Sequence, residues 1–322
     1  MNVKAKQARR TIDGRKDDPV RLAYRVRFLR RGWLRFVMIF ALFASGHAAQ
    51  AIERAGALLE LGESDEAWYE EAQMARGAAM VFGPTPIDEA VAVIGGRIDQ
   101  VSGNASLGPR VGIARLLPLQ GRFAEAREHL AVARTGFEEL GNRHRLAGIL
   151  EIEGIIASFE GDAVGAARQL REAFDAMTAT GDRSFASTFA ASLGRGLLDL
   201  GDFDQALRFG DIARTTSSSD DAISQAGGRA VQARVLSEHG DHEAAEALAR
   251  EAEGFMAATD YLVSHGEVSE DLARVLHGAG KTDEAMSAAR AAIALFEAKG
   301  ATVPAARATR MIEEWLLPSA DQ

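Results

Sequence analysis

Apolar positions along this chain recur with helical rather than strand spacing, and one arrangement of them returns about every 40 residues. Glycines mark it most clearly. Gly46, Gly121, Gly161, Gly201, Gly240 and Gly280 are each followed five residues later by alanine, at Ala51, Ala126, Ala166, Ala206, Ala245 and Ala285. Gly83 and Ala90 fit a weaker unit with two extra residues in its turn, and the steps are then 37, 38, 40, 40, 39 and 40 residues. Small residues stand seven positions before the glycine, at Ala114, Gly154, Gly194, Ala233 and Ala273. They stand again twelve positions after it, at Ala133, Ala173, Ala213, Ala252 and Ala292. Offsets of five and twelve differ by two helical turns, so both alanines lie on one face, where a neighbouring helix can approach closely. Leu42, Leu117, Leu197, Leu236 and Leu276, four residues before the glycine, lie one turn from the preceding small position and supply the core.

Each unit therefore reads as a helix A, a tight turn at glycine and a helix B. Gly-Asp pairs at 161, 201 and 240 combine a left-handed C-cap with an N-cap for helix B. A second stop at Gly141, Gly181 and Gly300 closes helix B. So thin an amphipathic layer cannot bury itself, so stacked neighbours must complete the core. The fold class expected is all-α, a right-handed superhelical solenoid of about seven antiparallel helix pairs. It would occupy residues 31–317, after a basic arm over 1–30 and before a short tail, 318–322.

Composition agrees with helices: much of the 47% apolar content is alanine, and prolines number seven. With no cysteine, disulfides, thiolate catalysis and cysteine zinc sites are excluded. The net charge of −9 conceals an asymmetry, because residues 1–35 hold 12 Lys or Arg against three Asp. That arm admits three readings: a tail, a charged segment for nucleic acid or anionic lipid, or an export signal. Tail is the default, with nucleic acid and membrane unfavoured. Tyr24, Phe28 and Trp33 fall at helical spacing among arginines and can extend into a first helix A. The apolar stretch 36–44 is too short to span a bilayer, which takes about 20 residues. Arg30-Arg31 before it and Ala49-Gln50-Ala51 after it resemble a twin-arginine signal, yet cleavage there would destroy a unit of the grid. The expected location is the cytoplasm, with export the alternative.

The small, leucine and alanine positions resemble the tetratricopeptide repeat over residues 34–312, in units nearer 40 than 34 residues. HEAT and armadillo arrays share the period but do not require this grid. A narrower resemblance lies in the order of Phe82-Gly-Pro-Thr-Pro-Ile-Asp-Glu-Ala90, Gly121-Arg-Phe-Ala-Glu-Ala-Arg127, Asp220-Asp-Ala-Ile-Ser-Gln225 and Glu297-Ala-Lys-Gly-Ala-Thr-Val-Pro-Ala305. Together these are similar to the C-terminal repeat region of bacterial regulators that carry a class III adenylate/guanylate cyclase and an AAA-type ATPase upstream, and of LuxR/MalT-type regulators. The resemblance implies a sensor or partner-binding arm. It does not carry over cyclase activity, since neither catalytic domain nor a phosphate-binding G-x-x-x-x-G-K-[ST] loop is in this sequence.

No catalytic motif emerges, so the expectation is a non-enzyme without cofactor or metal. His239 and His242 straddle a turn without a third ligand, with His242 at the place of Phe123 and Phe203. Glu138-Glu139 and Glu313-Glu314 point about 100° apart on a helix and form no dyad. The run Thr215 to Asp221 reads as turn and capping chemistry.

Arginine at one repeated position, six residues before the turn glycine, is the candidate binding feature: Arg115, Arg195, Arg234 and Arg274, interrupted by Ile155. In the resembling fold this position faces the concave groove, where forked guanidinium bonds can hold an acidic peptide or partner protein. The competing reading pairs Arg195 with Asp199, Arg234 with Glu238 and Glu270 with Arg274 along their own helices. The expected function is a protein-binding regulatory scaffold; the alternative is a detached regulatory arm of a cyclase or ATPase regulator. Trp315, Leu316 and Leu317 either cap the last unit or dock a second copy through the solenoid end.

Overall fold

A computed structural model describes residue 42 and residues 45–60 and 66–317. The basic arm, Tyr24, Phe28, Trp33 and the tail 318–322 lie outside the described residues. Among the described residues fourteen α-helices follow one another: α1 (Ala48–Glu60), α2 (Glu66–Phe82), α3 (Ile87–Gln100), α4 (Leu107–Leu116), α5 (Phe123–Glu139), α6 (Arg143–Phe159), α7 (Ala163–Thr178), α8 (Arg183–Leu200), α9 (Phe203–Thr216), α10 (Ala222–Glu238), α11 (His242–Ala257), α12 (Leu262–Gly278), α13 (Thr282–Lys299) and α14 (Thr302–Leu316). The protein is an all-α superhelical repeat array, with no strand among the described residues.

The glycine grid sets the register. Gly46, Gly121, Gly161, Gly201, Gly240 and Gly280 all adopt φ between 73° and 84°, the left-handed region that glycine enters without steric cost. In each case the next residue's N–H donates to the carbonyl five residues back, as in Arg122 to Leu117, Asp202 to Leu197 and Lys281 to Leu276. In all but the Gly161 unit, where Ala157 accepts, the core leucine thus also supplies the acceptor that ends its helix. Asp162, Asp202 and Asp241 then accept from Gly165, Gln205 and Ala244 at 2.9, 3.2 and 3.3 Å, starting α7, α9 and α11. Among the described residues are six complete pairs, α2/α3 to α12/α13, of which the last five have this left-handed glycine turn; α1 stands at a B position before them, and α14 adds an A-type helix after the last turn. Gly83 is glycine for another reason: an added Cβ would collide with Ala48 and with the Ala79 carbonyl.

The alanines carry the stacking. Ala51, Ala90, Ala126, Ala166, Ala206, Ala245 and Ala285 are all 0% exposed, which places every grid alanine at a helix contact. At Gly210 and Gly228, α9 and α10 touch backbone to backbone: a Cβ on Gly228 would lie 2.6 Å from the Gly210 carbonyl oxygen and 3.0 Å from the Arg214 nitrogen. Because neither atom can yield, Gly228→Ala is expected to cost about 1–3 kcal/mol despite its better helix propensity. Gly254→Ala meets nothing within 4 Å. It should stabilise by up to about 1 kcal/mol. Urea denaturation of the two variants checks the pair, and equal effects would contradict this packing.

The array turns far enough for its first units to meet its last. Ala48, Ala51, Ala55 and Ala79 share a core with Ala226, Ala230, Ala252 and Met256, while Ile87 and Leu117 share another with Phe296 and Ala305. Two charged side chains fasten this closure. The Asp260 carboxylate accepts from the Ala48 and Ala49 N–H groups at 2.8 and 2.7 Å, capping α1. The buried Lys299 donates to the Met80 and Gly83 carbonyls at 2.8 and 2.6 Å, capping α2. An anion sits at a helix N-terminus and a cation at a helix C-terminus, the favourable sense for both dipoles.

Candidate functional site

The A helices α4, α6, α8, α10, α12 and α14 form the inner wall, and three buried carboxylates lace them together. Glu151 of α6 accepts from Arg115 of α4 at 2.6 Å and from Ser192 of α8 at 2.9 Å. Asp271 of α12 pairs with Arg195 of α8 at 2.7 Å and Arg234 of α10 at 3.2 Å. Glu270 accepts from Arg274 on its own helix and from Arg307 of α14, both at 2.8 Å. The Arg195 link passes over a whole unit, which is possible only across the inside of a curved array.

All four arginines picked out by the sequence are engaged with a carboxylate, in three clusters around Glu151, Asp271 and Glu270. Of the local pairs expected along the helices, Arg234 and Glu238 stand 4.0 Å apart as an ion pair, whereas Asp199 leaves Arg195 and accepts from Ser158 at 3.0 Å. Glu270 and Arg274 do pair. The carboxylates Glu151 and Asp271, at 3% and 2% exposure, and the fifth cation Arg307 are the residues that sequence reasoning missed, while for Glu270, at 4%, it named Arg274 but not Arg307. Glu151 and Glu270 both stand ten residues before a turn glycine, one turn from the arginine position. That shared offset was the available signal.

Electrostatics follow from burial and pairing. Burial works to raise the Asp271 carboxyl, but the Arg195 and Arg234 charges outweigh it and hold the group below the ordinary aspartate range. Burial likewise disfavours the Arg195 cation, and Asp271 and Glu267 reverse this, raising its pKa further. Arg307 is raised in the same way, with Glu270 opposing its burial. Glu267 behaves oppositely: burial pushes its carboxyl up, and Arg195 and Arg307 only partly oppose the shift.

On this wall lies a partly open cavity of about 130 Å³, lined from α6, α8, α10, α12 and α14 with one residue each from α7 and α11. Ile155, Leu170, Ile223, Met256 and Val268 give it apolar sides, and Arg195, Glu267 and Arg307 also line it. The other candidates are structural. His239 meets the Phe203 ring edge-on at 6.3 Å, and His242 is half-buried, as its place in the unit implies. Thr215 and Thr216 donate to carbonyls one turn back, and Asp221 caps α10. Ala49 and Ala51 of the signal-like triplet lie inside α1, with Ala51 buried. Among the described residues no helix is long and apolar enough to cross a membrane.

The sequence model of the tetratricopeptide repeat family matches residues 109–131, 188–209, 226–251 and 268–291, each running from an A helix into its turn or B helix. The chain is a tetratricopeptide-like helical array. Its fold is similar to that of a Rap protein complexed with competence and sporulation factor, with TM-score 0.60 and 13% identity over 89% of this chain and 87% of that one. NprR in complex with its cognate peptide NprX is similar at TM-score 0.56 and 13% identity, over 88% of each chain. A signal transduction ATPase with a tetratricopeptide repeat sensor from Pyrococcus horikoshii is similar at TM-score 0.56 and 12% identity, over 88% of this chain and 46% of that one. At these identities the likeness is one of fold. No curated protein matches the array in sequence.

Proposed function

We propose that the array is a non-catalytic regulatory module of the cytoplasm that holds a peptide or partner protein against its inner wall. The observation that carries this reading is the cavity, set where A helices from five units converge and mixing apolar sides with fixed charges. Such concave sites with a few placed polar groups suit ligand recognition. The similar Rap and NprR structures, described with a bound factor and a bound peptide, support it by analogy of fold.

Arg115, Arg195, Arg234 and Arg274 serve here as groove residues of a particular kind. Because buried carboxylates already neutralise them, their remaining N–H groups suit neutral carbonyl oxygens of a bound chain, and an acidic partner is not required. Ile155 occupies the position that carries arginine in other units, so Ile155→Arg keeps a helix-compatible residue while filling the groove. Peptides enriched from a random heptapeptide display library on the wild-type array should bind this variant at least tenfold more weakly by fluorescence anisotropy. Equal binding would overturn the inner wall as the site.

The array's likeness to less than half of an ATPase that contains a repeat sensor favours a second reading. In it the array acts on a separately encoded ATPase or cyclase. A gene for such an enzyme beside this one, and co-purification of the two products, would distinguish it.

A further inference from the structure

Of the carboxylates on the inner wall, Glu151, Glu270 and Asp271 each hold an arginine, whereas Glu267 makes no hydrogen bond or ion pair among the described residues. Its neighbours Arg195 and Arg307 are committed elsewhere, at 2.7 Å to Asp271 and 2.8 Å to Glu270. Glu267 is half-buried and lines the cavity. A half-buried carboxyl without a bonded partner has acceptor capacity to offer any donor that arrives.

The volume restricts what can arrive. About 130 Å³ admits one side chain rather than a folded segment. Ile155, Leu170, Ile223, Met256 and Val268 offer apolar sides that suit an unbranched hydrocarbon stem, beside the hydroxyls of Ser158, Thr188, Ser192 and Ser264. A carboxylate or phosphate head would face Glu267 with both nearby guanidiniums already occupied. A cationic head on an apolar stem meets the free carboxyl and the apolar sides, with the charges of Arg195 and Arg307 already balanced by Asp271 and Glu270.

Resting on the peptide-binding reading above, we propose that the cavity is a specificity pocket for a lysine side chain of the bound peptide or protein, with Glu267 as the acceptor for its ammonium. The stem lies along Leu170, Ile223 and Val268, and the remaining peptide runs along the inner wall. Burial raises the Glu267 carboxyl, and an arriving ammonium would draw it back to the ionised form.

The test uses the full chain and three probes of equal length: n-pentylammonium, 1-pentanol and pentanoate, titrated by saturation-transfer NMR and calorimetry. Pentylammonium should saturate the wild type and bind at least tenfold more tightly than pentanol, with pentanoate weakest. Glu267→Gln has no partner to lose and should remain folded by circular dichroism. It should abolish the preference for the ammonium while leaving pentanol binding in place. Ala191→Leu, which fills the cavity from α8 without touching the charge, should remove all three. Equal pentylammonium binding by wild type and Glu267→Gln would overturn the proposal, as would a preference for pentanoate. If the ammonium fails while enriched heptapeptides still depend on the inner wall, the pocket is wrong and the peptide-binding reading survives.

Discussion

A Lys299→Ala chain should lose about 3–5 kcal/mol of stability, because the substitution opens a void and strands two carbonyls. Lys299 is 0% exposed, and its ammonium is the donor to Met80 and Gly83 at the end of α2. The residue four positions after Met80 is Pro84, which has no N–H to give, so nothing local can replace the lysine. Lys299→Met keeps most of the volume and should lose less. Burial lowers the amine to about 8 from 10.5, with Asp260 pulling the other way. Between those values the unfolded chain holds more protons than the folded one, so wild-type unfolding free energy should rise with pH across the window, by about 3 kcal/mol in all. The Lys299→Met chain should lack that rise. Urea midpoints measured at pH 7.5, 9 and 10.5 decide the matter, and parallel pH profiles would contradict a buried, charge-bearing lysine.

Lys299 also marks the limit of what the sequence disclosed. The grid of glycine, alanine and leucine was legible because each residue acts on its own turn or on an adjacent helix. Gly201 sets a backbone angle, Leu197 accepts the terminating bond, and Ala206 lets the next helix approach. Lys299 beside Gly300 reads locally as an ordinary basic residue in the last turn of a helix, and its actual acceptors lie 219 and 216 residues away. Asp260 similarly caps a helix 212 residues away. Such contacts depend on the accumulated curvature of the array, which no local spacing encodes. The candidate site was half legible for the same reason. The arginine position was visible at a fixed offset from the turn glycine, but the i to i+4 rule names Asp199 as the partner of Arg195, whereas curvature delivers Asp271.

That substitution of partner makes Asp271→Ala the second large effect expected, about 3–5 kcal/mol, because it leaves two cations on the wall without their counterion. Asp271 is 2% exposed and joins α8, α10 and α12 through Arg195 and Arg234, so its loss loosens three units. Removing Arg127, whose bond to Glu160 lies on the outer surface, should cost less than about 1 kcal/mol. The folded carboxyl of Asp271 lies below its ordinary value, so its contribution is present above the unfolded pKa and is lost as pH falls through the folded one. Asp271→Asn should therefore flatten the acid limb of the stability profile. Replacing all three members together, as Arg195→Met, Arg234→Met and Asp271→Leu, should recover much of the loss, since a buried ionic cluster owes its apparent strength largely to the penalty of breaking it. An Asp271→Ala effect no larger than that of Arg127→Ala would mean that water reaches the inner wall freely.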